Sequence, residues 1–356
     1  MTQNFQVLHQ FIPAARANLS DEIWDYVMGA AETETTHKRN RLALDCLGLR
    51  PRVLRDVCHR DTTGSVLGHD LKMPVILAPI GSLQDMVEGG AATVAVAAAQ
   101  AGVAQMVSSS ASNSLEEVAE ASDAVKIYQL YVRGAEDWVD DRVARAIDAG
   151  YVGLCLTVDL DLYGRRERDL AKSFTTTTQK TAIDQSFQER FSWRDVARIK
   201  EKFDIPMMIK GIATGEDARL AVECGMDAVY ASNHGGRQLD HGLGTMDFLP
   251  EIVDAVGGRI EVIADGGIMR GCDIVKALCL GASAVGIGRM YVLAAAAAGA
   301  PGVVRAMDLL HQELDTTLGL LGVRSLQELD GSYLAPARAV NQQNTYSAFP
   351  LLDEGY

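Results

Sequence analysis

Eight short, apolar, β-prone runs alternate with helical stretches from Pro74 onward, and this alternation limits the possible folds more than any other feature. The runs span residues 74–78, 104–108, 126–131, 152–158, 206–210, 227–231, 259–264 and 283–287. Between them lie amphipathic or alanine-rich stretches such as 91–101, 114–120, 137–149, 215–223 and 272–280. Strands that alternate with helices pair in parallel, and eight such units predict an α/β fold closed into a (β/α)8 barrel. A doubly wound open sheet is the alternative. Residues 1–73 read as a helical N-terminal extension packing on the barrel, 74–335 as the barrel, and 336–356 as a polar tail, either an arm or partly disordered. The segment from Thr175 to Arg190 opens with four threonines and stays polar, which predicts a mobile loop after the fourth strand.

Composition narrows the function classes. Apolar residues make up 48% and charged residues 22%, enough for a large core and against global disorder. The net charge of −14 argues against a general nucleic-acid binder, though not against an anionic substrate held in a local field. The six cysteines form no CxxC pair, which predicts reduced thiols in a cytoplasmic protein and no zinc site. The segment Met1–Val7 lacks the charge and apolar run of a secretory signal. The longest apolar stretch, from Tyr291 to Val304, is broken by Gly299, Pro301 and Gly302. It falls short of the ~20 apolar residues that cross a bilayer and reads as a barrel helix, so no membrane association is expected.

The candidate chemistry sits at the C-terminal ends of the eight runs, the face on which barrel active sites are built. The sixth run leads into Ser232-Asn233-His234-Gly235-Gly236-Arg237-Gln238. A proton acceptor, His234, and a fixed cation, Arg237, flank two glycines that permit a tight turn. A base beside a carboxylate clamp is what oxidation of a 2-hydroxy acid requires. Asp159, at the end of the fourth run, can orient His234 and stabilise its protonated form. Runs seven and eight end in Asp265-Gly266-Gly267 and Gly286-Ile287-Gly288-Arg289. Glycines there let backbone N–H groups approach a phosphate, and Arg289 adds a charge-assisted contact. Lys210 closes an otherwise apolar fifth run and needs an anionic partner.

These motifs, together with Tyr128-Gln129-Leu130-Tyr131, resemble those of the FMN-dependent 2-hydroxy-acid oxidases and dehydrogenases, over a span from about Leu19 to about Ser332. The resemblance implies an FMN cofactor, a small-molecule (S)-2-hydroxy acid as substrate, O₂ or another electron acceptor, and a homotetramer. It assigns Lys210 to the N1–C2 edge of the flavin, and Ser108, Gln129, Thr157, Ser232 and the Pro79-Ile80-Gly81 segment to further flavin contacts. Asp265, Gly267, Gly288 and Arg289 are expected at the phosphate. Tyr131, Arg166 and Tyr26 are expected on the substrate with Arg237, and Asn40-Arg41 matches a pair in the same family. Both a hydride and a carbanion route fit this residue set. A flavin-dependent isomerase is the alternative on the same barrel, although a diphosphate substrate would want more cations.

Departures from the family pattern bear on substrate size. Ile80 replaces a hydroxyl residue, Gly81 resembles mandelate-type members, and Met269 stands where many members carry a phosphate-binding arginine. Ser110 stands where glycolate oxidases have a tryptophan over the substrate. The removed volume predicts a medium-to-large or aromatic 2-substituent, whose burial would contribute ~25 cal/mol per Å².

Overall fold

The computed structural model describes residues 5–180 and 184–356. Met1 to Asn4, part of the segment read above for a signal, and residues 181–183 of the loop after the fourth run lie outside the described residues. The chain begins with helices α1 (Phe11–Asn18), α2 (Asp21–Met28) and α3 (Thr35–Asp45), followed by strand β1 (Leu47–Leu49) and the strands β2 (Gly64–Val66) and β3 (His69–Leu71). Ser20 starts α2 by accepting the Ile23 N–H, and Asp21 and Glu22 in the first turn favour that helix end.

The barrel follows. Its strands are β4 (Val75–Leu77), β5 (Ala104–Ser108), β6 (Lys126–Leu130), β7 (Gly153–Thr157), β8 (Met207–Ile212), β9 (Ala228–Ala231), β10 (Glu261–Ala264) and β11 (Ala284–Ile287). They pair in parallel and close, β11 against β4. Each expected run became a strand, with ends that moved by no more than two residues. Alternation along the strands sorts the apolar residues into two clusters. Ile76, Met106, Ile127, Cys155, Met208, Tyr230, Ile263 and Ala284 fill the barrel, while Leu77, Val107, Leu130, Leu156, Ile209, Val229, Val262 and Val285 face the helices.

The outer layer is built from α4 (Gly90–Ala101), α5 (Leu115–Glu120), α6 (Glu136–Asp148), α7 (Glu167–Ala171), α8 (Ser186–Arg190), α9 (Trp193–Lys202), α10 (Gly215–Glu223), α11 (Thr245–Val256), α12 (Gly271–Cys279) and α13 (Arg289–Leu321). In α9, Val196 and Ile199 form the buried stripe and Ser192 with Asp195 caps the start.

Three expectations are corrected, and a fourth only in its length, since the apolar stretch is the barrel helix it was read as but longer than a bilayer span requires. The N-terminal extension is not only helical. The antiparallel β2–β3 hairpin puts Val66 and Leu71 against the barrel interior, beneath the first residues of the strands. The tail is anchored: β12 (Leu334–Pro336) pairs with β1, and Phe349 is buried with its ring edge-on to His9. The described end of the 175–190 loop is also seated, because buried Gln188 accepts from the Val132 N–H at 2.7 Å and donates to the Thr157 carbonyl at 3.1 Å. The apolar stretch near residue 300 belongs to α13, which has the length and hydropathy of a membrane span. Its helical geometry breaks at Ala298 and Gly299, and 61% of its most apolar window is buried in this fold. Close packing against the barrel accounts for the apolarity.

Candidate functional site

The same alternation that fills the barrel positions the candidate residues. Two residues beyond the inward-facing apolar layer lie Ser108, Gln129, Thr157, Lys210, Ser232 and Asp265, each at or just past its strand's C-terminal end and each buried. A further two residues along stand Ser110, Tyr131, Asp159, His234, Gly267 and Gly288. Of these, Ser110, Tyr131, His234, Gly267 and Gly288 line a cavity of about 420 Å³ at that end of the barrel. Tyr26, Pro79, Ile80, Gly81, Arg166, Lys210, Arg237, Asp265 and Arg289 line it as well. Ser108, Gln129, Thr157, Asp159 and Ser232 are not in its wall and support it from beneath or behind.

His234 occupies a backbone turn that few residues adopt. Its φ is +58°, followed by Gly235 at +64° and Gly236 at +78°. A Cβ on Gly236 would lie 2.6 Å from the His37 backbone nitrogen, so this loop can pack on α3 only with glycine there. A left-handed non-glycine residue at a cavity marks strain held by its surroundings. Here the holders are visible. The Ser232 hydroxyl accepts from the His234 N–H at 3.0 Å and from Lys210 Nζ at 2.8 Å, and donates to Asp265 at 2.7 Å. From α3, the Asn40 and Asn233 side-chain amides exchange two hydrogen bonds of 2.9 and 2.7 Å.

The imidazole is set for proton removal. Nδ1 lies 2.9 Å from Asp159 Oδ1, and a carboxylate only accepts, so Nδ1 carries the proton and Nε2 is the acceptor. Nε2 faces Tyr131, whose hydroxyl is 3.4 Å away. Burial lowers the His234 pKa below its ordinary 6.5, and Asp159 opposes that shift. Burial alone would raise the Asp159 pKa, but His234 and Lys210 outweigh it and keep the group ionised. Burial raises the Tyr131 hydroxyl far above its usual range, so it stays a donor.

Cations line the cavity as well. Arg237 Nη1 donates to the carbonyls of Tyr26 and Gly29 at 2.6 and 2.8 Å. Its other edge has no protein acceptor among the described residues and is free for a carboxylate. Arg166 donates to the Tyr163 hydroxyl at 2.7 Å, and its Nε is buried without a partner. The Tyr26 ring lies between the two, 4.7 Å from the Arg237 guanidinium carbon and 5.8 Å from that of Arg166. Arg289 donates to the carbonyls of Val27, Gly29 and Gly235 at 2.7 to 3.2 Å, so it also braces α2 against the His234 loop. Burial first, and neighbouring arginines second, make Arg237 and Arg289 less basic, Arg289 down to about 9. A guanidinium does not give up its proton in a protein, so this crowding expresses an unmet demand for anions.

The residues fit FMN. Ser108 donates to Gln129 Oε1 at 2.8 Å, which leaves Gln129 Nε2 buried without a partner, as Thr157 Oγ1 is. Orphaned polar atoms of this kind need a ligand to satisfy them. Burial alone would lower the Lys210 pKa, but Asp265 at 3.4 Å and Asp159 outweigh it and keep the ammonium charged beneath the cavity. Around the expected phosphate end, nothing lies within 4 Å of where a Cβ on Gly288 would be, so there is open room beside that backbone. Met269 is buried, and the adjacent cation Arg270 turns away to pair with Glu313 at 2.6 Å.

Three sets of contacts escaped the sequence reading, which had named Arg41 only as half of the Asn40-Arg41 pair. Arg41 is buried between Asp45 and Asp273 and donates to the Gly267 carbonyl at 2.8 Å, tying α3 to the loop after β10. Tyr163 packs 4.3 Å from the Arg166 guanidinium carbon. Arg133 lines the cavity and donates to Ser110 Oγ at 2.6 Å. Only the position of Arg133, two residues past Tyr131, offered a signal.

Comparison with known proteins agrees with this geometry. A model of the FMN-dependent dehydrogenase family matches residues 15–185 and 176–336. The L-lactate oxidase of Nostoc sp. (strain PCC 7120 / SAG 25.82 / UTEX 2576) is 39% identical over 355 residues, covering 92% of this chain and 97% of the relative. The glycolate oxidase of Spinacia oleracea is 38% identical over 352 residues, covering 92% and 95%. A crystal structure of mandelate oxidase with (S)-2-phenylpropionate superposes with a TM-score of 0.88 at 36% identity, covering 95% of this chain and all of that one.

Proposed function

The chain belongs to the FMN-dependent dehydrogenase family, and on that premise we propose that it oxidises an (S)-2-hydroxy acid with a medium-to-large or aromatic 2-substituent to the 2-oxo acid, with O₂ as electron acceptor. One observation carries the reading: the acceptor nitrogen of His234 and the free edge of Arg237 open onto one cavity. Arg237 and Arg166 hold the substrate carboxylate, and planar forks suit that task. The substrate hydroxyl then lies at His234 Nε2, which takes its proton. Asp159 stabilises the resulting imidazolium, and Tyr131 donates to the substrate oxygen. As the carbonyl forms, the Cα–H bond breaks and the substrate gives up two protons and two electrons in total. One of those protons goes to His234; FMN, which Ser108, Gln129, Thr157 and Lys210 would hold, would supply the acceptor for the electron pair and the remaining hydrogen.

O₂ is supported by the relatives, which are named oxidases. A substituent larger than that of glycolate is supported by the small residues Gly81 and Ser110, which meet at one wall. A cytoplasmic location is supported by the cysteines, all free among the described residues. A homotetramer is supported by family resemblance alone. The test is anaerobic mixing of the yellow holoenzyme with a series from glycolate through lactate and 2-hydroxyoctanoate to mandelate. Bleaching of the flavin band is expected, fastest with the larger acids. A flavin that no 2-hydroxy acid bleaches overturns the activity and favours redox-neutral chemistry, while a preference for glycolate overturns the size assignment.

A further inference from the structure

Four arginines line the cavity: Arg133, Arg166, Arg237 and Arg289. None forms an ion pair with a carboxylate among the described residues, although Arg41, Arg145, Arg198 and Arg270 elsewhere in the fold each do. Partly desolvated guanidiniums without counter-charges are costly, so the cavity is built to receive anions. A 2-hydroxy monocarboxylate and the FMN phosphate account for three of the four. Arg166 and Arg237 flank Tyr26, where the 1-carboxylate is held, and Arg289 lies at the phosphate end. Arg133 is left without an anion.

Its geometry says where that anion would be. Arg133 is two residues past Tyr131, and its guanidinium carbon lies 5.7 Å from the Tyr131 ring centroid. Nη2 is fixed on Ser110 Oγ at 2.6 Å. Nε and Nη1 have no acceptor among the described residues, and they remain available to a ligand in the cavity. Ser110 and Gly81 are in contact range of each other at this wall, a Cβ on Gly81 falling 3.0 Å from that of Ser110. A bulky residue at position 110 would displace the guanidinium, and one at position 81 would push on Ser110. The small pair therefore makes room for a cation and not only for an apolar substituent.

We propose that Arg133 binds a second carboxylate at the far end of the 2-substituent, so that the favoured substrates are 2-hydroxy dicarboxylates. The inference rests on the 2-hydroxy-acid oxidation proposed above and specifies its substrate class. Arg133 is a binding residue in this scheme and takes no part in proton removal.

The test compares chain-length-matched acids, 2-hydroxyglutarate against 2-hydroxypentanoate, in wild type and in Arg133→Met and Arg133→Lys holoenzymes. Wild type is expected to favour the dicarboxylate in kcat/KM. Arg133→Met should lower the dicarboxylate-to-monocarboxylate ratio by about 10- to 100-fold, the worth of a charge-assisted hydrogen-bond pair. The loss should fall mainly in KM, and Arg133→Lys should recover part of it. Should the methionine variant not fold, wild type decides alone: 2-oxoglutarate should perturb its flavin spectrum at lower concentration than 2-oxopentanoate. A wild-type preference for the monocarboxylate, or a ratio unmoved in a folded Arg133→Met, overturns the inference and leaves the oxidase reading standing. Failure of every 2-hydroxy acid to bleach the flavin instead overturns the reading beneath it.

Discussion

At the scale of single residues, the proposed chemistry rests on the pair His234 and Asp159. Removing the imidazole deletes the proton acceptor without touching the cofactor's expected partners. His234→Ala should keep FMN bound and slow anaerobic flavin reduction by ~10²–10⁴-fold. Near-normal reduction would take His234 out of the base role. The pH dependence follows from burial. The base must be neutral, its pKa is below 6.5, and the proposed activity should therefore be flat at neutral pH and fall only in acid. Asp159 raises the His234 pKa, so Asp159→Asn should move the acid limb to still lower pH and reduce kcat, since a weaker base is left with an unsupported imidazolium. A limb that stays in place or moves upward would contradict this coupling.

At the scale of elements, a strand irregularity places Asp159. The β8–β9 register shifts between Lys210 and Ile212, where Gly211 has a φ of +111°. A Cβ there would lie 2.6 Å from both Cβ and Cγ of Asp159. The glycine thus lets the segment after β7 fold close over β8 and deliver the carboxylate to His234. Gly211→Ala should displace Asp159, lower kcat in the manner of Asp159→Asn and cost more than ~1 kcal/mol of stability. Gly225→Ala separates strain from collision, because Gly225 has a φ of +72° and open space around its Cβ position. Flavin-reduction kinetics and urea midpoints of the two variants settle the point: loss of kcat is expected only at residue 211, and equal kinetics in both would refute the bulge argument.

At the scale of the molecule, the barrel divides its work between two ends. Leu71 of the hairpin is buried in the apolar cluster that fills the barrel. Leu71→Ala should cost ~2–5 kcal/mol through lost burial and a residual cavity. The ratio of kcat/KM between large and small acids should not change, and urea unfolding with the substrate panel tests both halves. A changed substrate preference would mean that the plug reaches the site. The N-terminal extension does reach it. Tyr26 on α2 and Asn40 and Arg41 on α3 contact the cavity or its loops, so the extension is part of the site and more than a cover.

The barrel and its active end were legible in the sequence because both depend on short-range periodicity. Eight apolar runs made eight strands, and alternation of period two carried Ser108, Gln129, Thr157, Lys210, Ser232 and Asp265 to one rim. The His234–Arg237 motif was legible because a left-handed turn needs glycines next to one another in the chain. The partners of those residues were not legible. Asn40 meets Asn233 across 193 residues of chain, and Arg41 meets Asp273 across 232, and nothing local encodes either pairing. The hairpin and the tail were missed because their strands are only three residues long, too short to show a period. The wall formed by Ser110 and Arg133 was decided by tertiary structure alone. The sequence offered a small residue, Ser110, where the family resemblance implied an aromatic ring, but only the folded chain sets Arg133 on its hydroxyl, because what fills a volume depends on which neighbour is close enough to enter it.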